Sequence, residues 1–81
     1  MASKIEVLKE AALGKGCLGK AAVDEPVFVL RAQDKLAPVL VEEWASLAEL
    51  HGTPPAKVIG ARQLAREMRN WQKNNKAKYP D

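Results

Sequence analysis

The chain has 81 residues and a mass of 8.9 kDa, room for one small domain, 1–81, with a thin core. Its composition, 47% hydrophobic and 28% charged, is too apolar for a disordered chain, and no apolar run approaches the ~18 residues of a membrane span. The net charge of +3 is unevenly spread. Residues 1–23 carry Lys4, Lys9, Lys15 and Lys20 against Glu6 and Glu10 (+2); residues 24–52 carry Arg31 and Lys35 against Asp24, Glu25, Asp34, Glu42, Glu43 and Glu49 (−4); residues 53–81 carry seven bases against Glu67 and Asp81 (+5).

Ser3 followed by Glu6 is a capping-box pattern, and Ile5, Leu8 and Ala12 recur at helical spacing before Gly14, so a helix over 4–13 is expected. Gly14 to Lys20 reads as a loop. It contains a nominal dinucleotide fingerprint, Gly14-x-Gly16-x-x-Gly19, and a phosphate-loop pattern that fails at Ala21, where the magnesium-binding hydroxyl should stand. A helix leads into it instead of a strand, so a turn between helices is the expected meaning.

Asp24-Glu25-Pro26 interrupts the chain again. Val27-Phe28-Val29-Leu30 has strong β propensity but no second strand to pair with. The stretch 24–34 is therefore expected either as a buried short helix capped by Asp24, the favoured reading, or as a strand, near 27–31, that pairs with its own copy.

Pro38 suits a first helical turn, and Leu40, Trp44, Leu47 and His51, with Val41, Ala45 and Ala48 alongside, predict an amphipathic helix over 38–51 ended by Gly52. Thr53-Pro54-Pro55 restarts the chain with Thr53 as cap. The last helix is expected over 54–74, with Ala61, Leu64, Ala65, Met68 and Trp71 as its apolar stripe, and 75–81 as a frayed tail. The fold expected is a mainly α, single-domain bundle of three to four helices. Its core would be Leu8, Phe28, Leu40, Trp44, Leu47, Leu64, Met68 and Trp71, with the two indoles as the contact between the long helices.

Few constellations offer chemistry. One cysteine, Cys17, cannot form an internal disulfide, and with a single histidine, His51, there are too few soft ligands for structural zinc. Glu42 and Glu43 point ~100° apart and form no carboxylate pair. No enzyme, metal or cofactor is expected. The sharpest signal is a row of cations, Arg62, Arg66, Arg69, Lys73 and Lys76, spaced by four, three, four and three on one helix face. Such a row is solvated, pairs with the acidic surface of Glu42, Glu43 and Glu49, or meets the phosphates of a nucleic acid.

The segment Asp24-Glu25-Pro26-Val27-Phe28-Val29-Leu30-Arg31-Ala32-Gln33-Asp34-x-x-Ala37-Pro38, with Trp44 and the later Lys57…Ala61…Ala65…Met68…Trp71, resembles small uncharacterised accessory proteins of tailed phages and prophages. The resemblance runs from Gly16 onward and brings no functional residues with it. It implies a role in binding, to a host protein or a phage partner. The reading is a non-catalytic protein-binding accessory module, a self-associating homodimer in the host cytoplasm, with no secretory or membrane segment. The alternative is a nucleic-acid-binding helical protein that uses the basic face, and a structural subunit of a particle is a third reading.

Overall fold

The computed structural model describes residues 3–80. Helix α1 spans Lys4–Ala12. Ser3 caps it as its sequence demands: the residue is extended and its Oγ accepts the Glu6 N–H at 3.3 Å. The chain then leaves through Gly14, and Lys15 N–H bonds the Glu10 carbonyl at 2.7 Å. The glycine-rich stretch expected as a loop winds instead into a five-residue helix, α2, at Gly16–Lys20. Helices α1 and α2 pack on each other, and neither touches the rest of the helical structure.

Residues 21–31 form a strap that joins no helix or ladder. Val27–Leu30 is neither the buried helix favoured from sequence nor a strand in a ladder, and Val27, Phe28 and Val29 are exposed, Phe28 by 85%. Pro26 pushes the residue before it out of the α region, and β-branched Val27 and Val29 favour extended backbone.

Helix α3 runs Ala37–Leu50 with Pro38 in its first turn, and α4 runs Pro55–Asn74. Between them Gly52 adopts φ 83°, a left-handed conformation that side chains with a Cβ resist. It allows Thr53 N–H to bond the Ala48 carbonyl (2.9 Å) while its own N–H bonds Glu49 (3.1 Å), the Schellman closure. Thr53 is thus part of the α3 exit, and Pro54, which has no side-chain donor or acceptor, takes the cap position of α4 that Thr53 was expected to fill.

The hairpin packs along small side chains. Buried are Ala37, Pro38 and Ala45 on α3 and Val58, Ala65 and Met68 on α4, flanked by half-buried Val41, Ala48, Ala61 and Leu64. Of the eight core residues expected from sequence, Met68 is buried and Leu64 half-buried. Leu8, Phe28, Leu40, Trp44, Leu47 and Trp71 are exposed, so the indoles are not the interhelical contact. The reason is geometric. The apolar arc of α3 covers roughly 220° of its circumference, and one neighbouring helix covers less than half of that. Alanines let two backbones approach closely, so that edge takes the seam and the bulky edge is left outside.

The tail expected to fray is tied back. Lys78 bridges Asp34 in parallel register, with Lys78 N–H donating to Gln33 (2.9 Å) and Lys35 N–H donating to Lys78 (3.0 Å). The half-buried amide of Gln72 holds the other side of the same loop, donating to the Ala32 (2.9 Å) and Asp34 (3.1 Å) carbonyls. Among the described residues, no helix is long and apolar enough to cross a membrane.

Candidate binding surfaces

The two edges of the α3–α4 hairpin differ in chemistry. On one, Arg62 pairs with Glu49 at 2.8 Å and Arg69 with Glu42. The pairing of 49 with 62 and of 42 with 69 fixes the antiparallel register. Two of the five cations singled out in the sequence are thus joined to two of the three acids; Arg66, Lys73 and Glu43 are exposed. Lys76 lies beyond the end of α4, so the five do not form one helix face.

On the other edge, Leu36 at the cap of α3 and Leu40, Trp44, Leu47 and Leu50 along it follow at spacings of four, four, three and three, all exposed by 42–78%. At ~100° per residue they make a single ridge. Leu64 and Trp71 sit on the matching edge of α4, away from Arg62 and Arg69. Both tryptophans are half open to solvent, Trp44 at 53% and Trp71 at 43%.

A second surface lies where the tail returns. Gln33, Lys35, Arg69, Gln72, Lys73, Lys76, Lys78 and Tyr79 surround most of an open depression of about 850 Å³. Five of these side chains are cationic, and no acidic residue lines the depression among the described residues. The Lys35 ammonium sits 5.1 Å from the centre of the Tyr79 ring. Sequence reasoning missed Lys35, Lys78 and Tyr79, because a frayed tail could not bring them to Lys73. The alternation Lys76-x-Lys78-Tyr79 was the available signal: a short extended segment carrying charge and an aromatic.

Elsewhere, Cys17 and His51 are both exposed and lie on separate elements, α2 and the end of α3. No three His, Cys, Asp or Glu side chains gather as a metal-binding group among the described residues. No protein-family model, curated protein or solved structure matches this chain.

Proposed function

We propose that this chain is a non-catalytic protein-binding accessory module whose apolar ridge is covered by a second copy of itself. The observation that carries this is the amount of surface left uncovered. A monomeric protein of this mass exposes about 4,800 Å². This chain exposes 6620 Å², roughly 1,800 Å² more than that. Its Cα radius of gyration, 13.5 Å, exceeds the ~11.7 Å of a compact chain of this length. A stable dimer covers on the order of 800 Å² per partner. The strap accounts for part of the excess, and the ridge with its two half-open indoles supplies the apolar centre that such an interface requires. The resemblance to small phage accessory proteins supports the same role, with the host cytoplasm as the setting and occupation of a protein surface as the mode of action.

Sedimentation velocity over a dilution series tests this, with acrylamide quenching of tryptophan fluorescence in parallel. A dimer whose indoles become more quenchable on dissociation is expected. Trp44→Asp should yield a monomer with an unchanged helical circular-dichroism spectrum. A wild-type chain that stays monomeric at every concentration, or that forms large closed particles, would overturn the reading.

A further inference from the structure

We propose that the cationic depression at the returning tail binds the phosphate backbone of a single-stranded nucleic acid, with Tyr79 as a stacking platform for one base. This is independent of the self-association reading, since the depression lies at the basic end of α4 and uses none of the apolar ridge.

Three observations bear on the choice of ligand. First, the cations come from three separate pieces of chain: Lys35 before α3, Arg69 and Lys73 on α4, and Lys76 and Lys78 on the tail. Chain segments of like charge repel unless something holds them, and here the 33–35 to 78 bridge and the Gln72 amide do so. The fold therefore brings Lys35, Lys73 and Lys76 to one depression, and among the described residues neither ion pair, Arg62–Glu49 nor Arg69–Glu42, uses any of these three. Second, the depression is open and lined by both α4 and the tail, which suits a strand lying across it better than a small anion enclosed on all sides. Third, Tyr79 is 64% exposed and adjoins the lysines. An exposed aromatic among cations is the arrangement that holds unpaired bases, whereas an acidic peptide would have no use for it and a duplex would keep its bases stacked away from it.

The helix stripe itself is a poorer site, because Arg62 and Arg69 are already engaged with Glu49 and Glu42. The lysines that should contact phosphate are Lys35, Lys73 and Lys76. Three such contacts to a single strand give a salt slope of about −2, so a fourfold rise in salt should weaken binding roughly 20-fold.

The test is fluorescence anisotropy of a fluorescein-labelled oligothymidylate titrated with the full chain at two salt concentrations. Saturable binding with that salt response is expected. The double variant Lys73→Ala/Lys76→Ala, with its circular-dichroism spectrum intact, should bind far more weakly and with a shallower salt slope. Tyr79→Ala should lose roughly 5- to 150-fold in affinity with the slope unchanged, and Tyr79→Phe should restore it. The proposal is overturned by absent or salt-independent binding, or by equal affinity for a polyglutamate peptide or for a duplex of the same length. An Arg66→Ala loss as large as that of the lysine pair would also overturn it, by moving the anion onto the helix stripe.

Discussion

Replacing Val58 by alanine should destabilise the isolated chain more than replacing Leu47 by alanine, although the second change removes more carbon. Val58 is 2% exposed and sits in the α3–α4 seam. Losing its two methyl groups forfeits about 1.6 kcal/mol of transfer free energy. The cavity left behind adds to that, for a total of about 2 kcal/mol. Leu47 is 58% exposed. Three carbons fully buried would be worth about 2.4 kcal/mol, and the covered fraction reduces this to about 1 kcal/mol. In a domain of this size each kcal/mol moves the melting temperature by roughly 4–8 °C. Thermal melts followed by far-UV circular dichroism, at dilutions where sedimentation shows a monomer, should give a drop of about 8–16 °C for Val58→Ala and about half that for Leu47→Ala. The reverse order at limiting dilution would mean that the bulky edge of α3 is packed within one chain, and the small-residue seam would be refuted.

The staple at Gln72 predicts that Gln72→Ala, which leaves two carbonyls without their donor, costs about 1–2 kcal/mol. Hydrogen exchange should then speed up at the Lys35 and Lys78 amides while the middle of α4 stays protected; unchanged protection at those two amides would refute the staple. At Gly19 an added Cβ would lie 2.6 Å from the Gly14 carbonyl carbon, so Gly19→Ala must displace α2 from α1. NMR shift changes should be confined to residues 4–20. Changes reaching 37–74 would contradict the separation of the two helical pairs.

Elements were legible in the sequence because they are set by local rules. Ser3, Gly14, Pro38, Gly52 and the Pro54-Pro55 pair mark three helix boundaries that the structure reproduces closely at 4–12, 37–50 and 55–74. Packing was not legible. Periodicity identifies an apolar arc but does not say which part of a wide arc a neighbour will cover, and on α3 the alanine edge won over the one bearing Trp44. Val27–Leu30 failed for a related reason: the favoured buried helix rested on the expectation that four apolar residues must be buried, which does not hold for a chain with so little core to offer. The basic row divides: Arg62 and Arg69 face the acids of α3, and Lys76 lies beyond α4. Its register against the acids made two ion pairs, each exposed and worth at most about 1 kcal/mol, while the cluster at the tail depended on a nonlocal bridge no spacing rule reveals.

The separation of the helical pairs has a consequence that can be measured by deletion. The strap links helices α1 and α2 to the rest, and among the described residues no helix–helix contact crosses from one pair to the other. Among the described residues, the alanine seam, the Gln72 staple, the tail bridge and the two ion pairs that hold α3 and α4 all lie within 31–80. Removing residues 1–20 should therefore leave the monomer's melting temperature within the ~0.5 kcal/mol expected of a change remote from any packed group. The fluorescence maximum of Trp44 and Trp71 should be unchanged as well. A destabilisation of 2 kcal/mol or more at limiting dilution would mean that α1 packs on the hairpin in solution, and the apolar ridge would then already be covered within a single chain. If instead the monomer is unaffected and the dimer weakens, the N-terminal pair contributes to the interface, and Ile5 and Leu8, exposed on α1 by 62% and 57%, are the side chains to replace next.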